Sequence, residues 1–239
     1  MKQEGVHMEK HQKDISWDRI EKLLWTGIIG ACVILAGDLL MGWGVRDPEM
    51  TGIAGQLSPY LAISDRRMFW AFLCGLAGVP AAVAGHFGIY KLLKPYSDQY
   101  ARLYAVGNLG FLIFGGAGVH GCSVAAAFFY KYMAAADPAA GLEAVMKFAV
   151  YFLLPMYVLV LAGWFLMVCV HFRAVSRGLS PYPRWCVIFS MLTGSVLASL
   201  IGFFGNHEIV NAIMTGAFSL GNIWSLAGHL LMLRRVKMN

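Results

Sequence analysis

The feature that most constrains the fold is a succession of apolar segments, each long enough to cross a lipid bilayer. A hydrocarbon core about 30 Å thick needs about 20 residues of apolar helix to span it. The segments that reach this length are 23–43, 68–93, 103–132, 145–172, 185–204 and 210–233. Because lipid offers no partner for unpaired backbone groups, each segment is expected to be helical. The sequence therefore predicts an all-α polytopic transmembrane bundle of six helices.

Composition favours the same class of protein. Hydrophobic residues make up 59% of the 239-residue chain and charged residues 13%, a balance far from that of a soluble domain. We therefore expect one transmembrane domain over 23–233, between a polar segment 1–22 and a basic tail 234–239. Residues 15–22 (ISWDRIEK) predict a short interfacial helix that leads into the first span. The first span is expected to be an uncleaved anchor, since residues 1–22 do not resemble a signal peptide.

The cationic residues are distributed unevenly between the predicted loops. Fourteen of the 19 Lys and Arg residues precede the first span, follow the sixth, or lie between the second and third or the fourth and fifth spans. The positive-inside rule then places both termini in the cytoplasm. Anionic lipid headgroups account for the formal charge of +6, so membrane lipids are the expected partners and nucleic acid is not.

Glycines are spaced along the first two predicted spans as ladders of small residues. The ladders comprise Gly27, Gly30 and Gly37 in the first span and Gly75, Gly78, Gly85 and Gly88 in the second. Small residues allow helix backbones to approach closely within lipid, where there is no water to expel. These spans are therefore expected to pack tightly.

Two titratable residues lie at matching depth inside the predicted spans. Asp38 is roughly 22 Å along the first span from Leu23, and His120 is roughly 26 Å along the third from Leu103, at 1.5 Å per residue. Both positions fall in the predicted outer half of the bundle. A carboxylate among Leu, Ile, Val and Gly residues must be protonated or paired, so we expect it to contact His120 or a nearby arginine.

Other polar residues share this level, and each has a structural explanation beside a functional one. Ser64 fits the N-cap of the second span. Arg66 and Arg67 can contact lipid headgroups or pair with a buried acid. Glu208, in the turn between the fifth and sixth spans, is explained as well by solvation as by a site. Asn222 suits a hydrogen bond between helices.

The leading hypothesis is an outward-facing intramembrane polar pocket that binds or processes a small amphiphilic or lipid-like ligand. His120 acts in it as acid or base, and Asp38 orients the imidazole. The candidate ligand-binding residues are Arg66, Arg67, Glu208, Ser123 and Asn222, with an arginine as counter-charge and Glu208 at the mouth. Two alternatives stay open, a proton-coupled transporter that uses Asp38 and a structural or accessory membrane subunit. The pattern leaves open whether the chain is an enzyme and which oligomer it forms.

The histidines allow one more alternative, a membrane cytochrome with bis-histidine haem b. His86 and His171 lie toward the predicted inner side, and His120 and His207 toward the outer side. Such a site needs two imidazole nitrogens facing each other across a haem, whereas His171 and His207 lie near span ends. No metal site is predicted, because the sequence has neither an HExxH motif nor paired histidines on one helical face.

Four longer segments carry a resemblance that covers nearly the whole chain. They are GDLLMGW at 37–43, SDRRMFWAFLCGLAGVP at 64–80, GHFGIYKLLKP at 85–95 and MTGAFSLGN at 214–222. Together they resemble a family of bacterial multi-span integral membrane proteins known only as a domain of unknown function. The resemblance implies a multi-pass protein of the bacterial cytoplasmic (inner) membrane, and it assigns no activity to any residue.

Overall fold

The computed structural model describes residues 16–238, and this part of the chain is helical and contains no strand. Its α-helices are α1 Trp17–Gly42, α2 Gly52–Ala62, α3 Asp65–Leu93, α4 Asp98–Phe114, α5 Gly121–Ala136, α6 Pro138–Phe148, α7 Leu154–Ser176, α8 Met191–Ser199, α9 Glu208–Thr215 and α10 Ala217–Met238. Turns of π-helix join α4 to α5 (Gly115–His120) and α6 to α7 (Ala149–Leu153), and 3-10 turns flank α8 at Arg184–Ile188 and Leu200–Phe204.

Within residues 16–238, four helices are long and apolar enough to cross a membrane. They are α1, α3, the joined α4–α5 over Asp98–Ala136 and the joined α6–α7 over Pro138–Ser176. The pair α9 and α10 is bent by 60° and forms a fifth candidate if both parts belong to one span. These lengths agree with the predicted all-helical membrane bundle.

The predicted span 185–204 differs most from its expectation. It is divided into a 3-10 turn, the nine-residue α8 and a second 3-10 turn, so that its continuous apolar helix covers only Met191–Phe204. The division has a local cause, since the Ser190 hydroxyl accepts a hydrogen bond from the Thr193 backbone N–H and starts a new helix at Met191.

The two ends of the chain also differ from the prediction. The expected interfacial helix 15–22 is not a separate element, because residues 17–22 form the first turns of α1 without a break. The tail likewise continues α10, and the Lys237 ammonium lies 2.7 Å from the Asp18 carboxylate of α1. The remainder of the predicted N-terminal segment, residues 1–15, and Asn239 lie outside the described residues.

Helices α1 and α3 pack closely, and all glycines of the two predicted ladders except Gly75 lie at their contact. A Cβ atom added at Gly27 would lie 2.5 Å from the Gly85 Cα, and one added at Gly78 would lie 2.7 Å from the Ile34 Cγ1. Such distances leave no room for a side chain, so glycine is what allows the two backbones to touch. This contact fixes Asp38, on α1, relative to α3.

Candidate functional site

A cavity of about 220 Å³ lies between α1, α3, the α4–α5 helix, α7 and α10. Ile34, Asp38 and Met41 reach it from one face of α1, as their spacing of four and three residues dictates. The rest of its lining is Tyr60, Val79, Phe111, Gly115, Val119, His120, Ser123, Val124, Tyr157, Val160, Leu161, Trp164, Thr215, Phe218, Ser219 and Asn222. The wall is mostly apolar, with a few polar groups that converge on Asp38, which is the usual constitution of a small-molecule site.

Asp38 and His120 form the polar centre of the cavity. The His120 Nδ1 lies 3.4 Å from the Asp38 Oδ1, and both side chains are almost enclosed, with 12% and 14% of their surface exposed. The other imidazole nitrogen, Nε2, lies 2.8 Å from the Ala71 carbonyl oxygen. A carbonyl can only accept, so Nε2 carries a proton. One further proton must then lie between Nδ1 and the carboxylate, because two facing lone pairs would repel each other.

The second carboxylate oxygen of Asp38 is held by the first turn of α10. The Ser219 hydroxyl donates to the Asp38 Oδ2 at 2.5 Å. This turn follows the 60° bend between α9 and α10, where a Cβ added at Gly216 would lie 3.7 Å from the Asp38 Cβ. Asp38 therefore has a partner on two sides, the His120 imidazole and the Ser219 hydroxyl.

The position of His120 depends on the glycine-rich turn that precedes it. Residues GGAGVH at 115–120 form the π-helical turn between α4 and α5, which inserts an extra residue into the helix. Turns of this kind are frequent at functional sites, since they redirect the side chain that follows. Gly75 of α3 provides the space, because a Cβ there would overlap the His120 ring.

Asn222 lies in the cavity wall and begins a buried polar chain. Its Oδ1 accepts from the His86 Nε2 at 2.9 Å, and the His86 Nδ1 accepts from the Tyr104 hydroxyl at 2.9 Å. Neither His86 nor Asn222 is more than 3% exposed. The expected role of Asn222 in joining helices is thus seen, and the chain leads from the cavity toward the predicted inner half. Ser123, also in the wall, donates to the Val119 carbonyl of its own helix.

The remaining predicted ligands do not line the cavity. The Arg67 guanidinium donates to the carbonyls of Leu40 and Trp43, at 2.6 Å and 2.7 Å, and so caps the last turn of α1. Arg67 therefore binds the free carbonyls at the end of α1, and it is not the predicted counter-charge of Asp38. Arg66 is exposed, and the Glu208 carboxylate accepts from the Trp43 indole at 2.9 Å. Ser64 is the predicted N-cap, since its hydroxyl accepts from the Arg67 N–H.

The two adjacent arginines should therefore respond differently to removal of their charge. Arg67→Met keeps the apolar stem but deprives the last carbonyls of α1 of a charged donor, and we expect a loss of about 1–2 kcal/mol in the free energy of unfolding. Arg66→Met, at an exposed site, should change it by less than about 0.5 kcal/mol. Reversible unfolding in mixed micelles measures both values. Equal effects of the two substitutions would show that Arg67 does not cap α1.

A second, larger space of about 570 Å³ adjoins the cavity at the predicted outer end. The two spaces share Met41, Tyr60 and Thr215 in their walls, so these residues separate them. Burial raises the pKa of the Tyr60 phenol, which keeps it a neutral hydrogen-bond donor at this boundary. This outer space forms a vestibule to the cavity.

Sequence reasoning missed three residues of the site. Ser219 lies three residues before Asn222 and shares its helix face, a spacing that could have identified it. Tyr157 of α7 lines the cavity although its sequence neighbours, which are apolar, gave no signal for it. Gly75 was assigned only to helix packing, because its role depends on a histidine 45 positions later in the chain.

Comparison with known proteins identifies a family but no activity. The profile of a family of unknown function (DUF6796) matches residues 1–236. Among curated proteins and among solved structures, no match to the chain was found.

Proposed function

Because the chain belongs to this family of unknown function, we propose a function from the geometry of the cavity: it binds a small amphiphilic molecule within the membrane. The polar end of the ligand lies against Asp38 and His120, and its apolar part lies against residues such as Phe111 and Leu161. The observation that carries this proposal is an acid and an imidazole that face each other at 3.4 Å in the wall of a mostly apolar cavity. Ionisable groups at membrane depth are costly, which favours a function for them.

The same geometry favours binding over hydrolysis. Both imidazole nitrogens of His120 are engaged, and the hydroxyls of Ser123 and Ser219 donate to a backbone carbonyl and to Asp38. No serine in the cavity wall is thus hydrogen-bonded to the imidazole as a nucleophile would be to its base. The pair acts instead as a proton-sharing unit that can offer either a donor or an acceptor to the polar end of a ligand, with Asp38 as the contacting group.

Asp38→Asn tests this proposal with little risk to the fold. An amide at this position still accepts from Ser219 and can donate to the His120 Nδ1, so the variant should fold. It lacks the charge, and we expect at least about a tenfold loss of ligand affinity, the effect of one charge-assisted hydrogen bond. Protein extracted in polymer-bounded native lipid particles gives the readout, by mass spectrometry of the small molecules that remain bound.

The matched control is Asp98→Asn. The Asp98 carboxylate is exposed, pairs with Arg102 one helical turn away and does not line the cavity. A molecule retained by the wild-type protein and by Asp98→Asn, but lost from Asp38→Asn, supports the binding site. Identical extracts from all three proteins, with the same thermal transition, would contradict it and favour a structural or accessory role for the Asp38–His120 pair.

A proton-coupled transporter is the second candidate, and two observations favour it. The buried chain from Asn222 through His86 to Tyr104 continues away from the cavity, and the helix that carries Ser219 is broken beside Asp38. Broken helices at the substrate site are common in transporters. Proton flux into vesicles that depends on His86 would favour transport over binding alone.

A haem b site fits these residues poorly. Both nitrogens of His86 are hydrogen-bonded, and so is Nε2 of His120. The rings of His171 and His229 contact each other edge to face with centroids 4.9 Å apart, which leaves no gap for a porphyrin between them.

We further propose that all six predicted segments cross a bacterial cytoplasmic membrane with both termini inside. The apolar helix Met191–Phe204 with its flanking 3-10 turn at Arg184–Ile188, and the bent pair α9–α10, then complete the fifth and sixth crossings. The uneven distribution of Lys and Arg supports this orientation. In it the vestibule and the cavity lie in the outer half.

A further inference from the structure

The vestibule differs from the cavity in the charge of its wall. It is enclosed by the end of α1 with the residues that follow, by α2, and by α9 with the turn that precedes it. Of the described residues that line it, Arg46 alone carries a charge, and the Gln56 amide of α2 lies in the same wall. A guanidinium and an amide N–H are both hydrogen-bond donors, so this wall suits an oxyanion.

Two asparagines fix the backbone that carries Arg46. The Asn206 Oδ1 accepts from the Arg46 backbone N–H at 3.3 Å, and the Asn206 Nδ2 donates to the Arg46 carbonyl at 3.4 Å. Asn211 of α9 donates to the Gly44 carbonyl at 2.7 Å and to the Asn206 Oδ1 at 2.8 Å. The base of the Arg46 side chain is therefore held at the vestibule by hydrogen bonds to another part of the chain.

The charge of Arg46 is not used within the protein. Among residues 16–238, neither its guanidinium nor the Gln56 amide takes part in a hydrogen bond or an ion pair. Nearby acids have other donors, since the Asp47 carboxylate accepts from the Glu49 N–H and the Glu208 carboxylate from the Trp43 indole. Arg46 is exposed, so its side chain can reach a ligand in the vestibule without losing an internal partner.

The electrostatic effect of Arg46 extends to the boundary with the cavity. Burial raises the pKa of the Tyr60 phenol, and the positive charge of Arg46 opposes that effect. Tyr60 is one of the residues that line both spaces. The cation therefore lies close to the passage between vestibule and cavity.

The cavity itself has no charge to offset an anion. The proton that lies between Asp38 and His120 leaves the pair with no net charge, whichever of the two groups holds it. An anionic group among the apolar side chains of the cavity would lose its hydration without compensation. A molecule with an anionic end and an uncharged polar end is therefore oriented, with the anion toward Arg46 and the uncharged group toward Asp38.

The helix geometry sets a minimum separation of these two ends. Gly42 lines the vestibule and lies one turn beyond Asp38 on α1, roughly 6 Å along the axis. The polar groups of the ligand must therefore be separated by several carbon atoms, because adjacent groups could not reach both residues.

We propose that the vestibule binds the anionic end, a carboxylate or a phosphate monoester, of an amphiphile whose distant hydroxyl donates to Asp38 in the cavity. Arg46 and Gln56 hold the anion. Each carboxylate oxygen of Asp38 has lone pairs beyond those used by its present partners, so it can accept from the hydroxyl. The position of the hydroxyl rests on the proposed function, whereas the anion site stands without it.

Three probes of equal chain length test the assignment. Tritiated ω-hydroxydecanoate is bound to the full-length protein in phosphatidylcholine nanodiscs, whose lipids carry no net charge, and unlabelled competitors displace it. We expect decanediol, which lacks the anion, to bind about tenfold more weakly, and α-hydroxydecanoate, whose polar groups are adjacent, about fivefold more weakly. No binding of the acid, or equal binding of acid and diol, would overturn the anion site. Equal binding of the two acids would overturn the placement of the hydroxyl on Asp38.

A matched pair of arginine variants separates the site from general surface charge. Arg46→Gln should weaken ω-hydroxydecanoate about tenfold and leave decanediol unchanged. Arg66→Gln removes the same charge from an exposed position that does not line the vestibule, and it should change neither. An equal loss of the acid in both variants would contradict a specific role of Arg46.

Asp38→Asn distinguishes failure of this inference from failure of the proposed function. If both hold, Asp38→Asn weakens the acid and the diol alike. Loss of the acid in Arg46→Gln with unchanged binding in Asp38→Asn would leave the anion site standing and contradict the cavity function. Loss of both probes in Asp38→Asn with no effect of Arg46→Gln would do the reverse.

Competition identifies the source of the anion. Stronger displacement by ω-hydroxydecyl phosphate than by ω-hydroxydecanoate assigns a phosphate monoester, and the opposite order assigns a carboxylate. Either order supports an amphiphile. Displacement by inorganic phosphate at the same concentrations would show a site for a free ion and overturn the amphiphile.

Discussion

Gly30→Ala is expected to destabilise the protein by about 3 kcal/mol, although alanine is the better helix former. The added methyl group would lie 2.6 Å from the Ala81 Cβ and 2.7 Å from the Ala81 carbonyl carbon, and it would also overlap the Ala82 nitrogen. These are mainly backbone atoms, so no change of rotamer relieves the overlap and α1 must move away from α3. Reversible unfolding in mixed micelles measures the change.

Gly110→Ala is the matched control, because it lies in a membrane helix but meets only the Gly163 Cα at 3.7 Å, an ordinary contact. It should leave stability unchanged or raise it slightly, by up to about 1 kcal/mol from helix propensity. If Gly30→Ala were as stable as Gly110→Ala, the close approach of α1 and α3 would be wrong. The position of Asp38 relative to α3, which this contact fixes, would then be wrong as well.

The parts of the fold that the sequence predicted are those that depend on local composition. Long apolar runs identified four helices of membrane-spanning length, and most glycines of the small-residue ladders lie at the α1–α3 contact. The predicted span 185–204 was different, since its apolar composition hides a helix start at Ser190 and two 3-10 turns. Hydropathy responds to the average polarity of a segment, whereas these breaks arise from single hydrogen bonds.

The candidate site also has a part that the sequence predicted and a part that it did not. Depth along two helices was enough to bring Asp38 and His120 to one level, and the structure places them 3.4 Å apart. The choice of partner required tertiary information, because Arg67 shares the predicted outer level of Asp38, yet it binds the carbonyls at the end of α1. Ser219 reaches Asp38 only because the helix breaks at Gly216, which no periodicity shows.

The predicted inner half of the bundle gives the second large expected effect, at His86. This imidazole is fully buried and joins three helices, since it accepts from Tyr104 of α4 and donates to Asn222 of α10. His86→Leu fills a similar volume but leaves a phenol and an amide oxygen without partners. At about 1–3 kcal/mol for each of the two orphaned groups, we expect the free energy of unfolding to fall by about 2–6 kcal/mol.

Tyr104→Phe in the two backgrounds provides the decisive comparison. In the wild-type protein it removes a donor from His86 and should cost about 1 kcal/mol, whereas in His86→Leu it removes an orphaned hydroxyl and should restore about 1 kcal/mol. The sign of one substitution thus reverses with the residue at position 86. If Tyr104→Phe destabilised both backgrounds equally, the two side chains would not be hydrogen-bonded, and the polar chain from the cavity would end at His86.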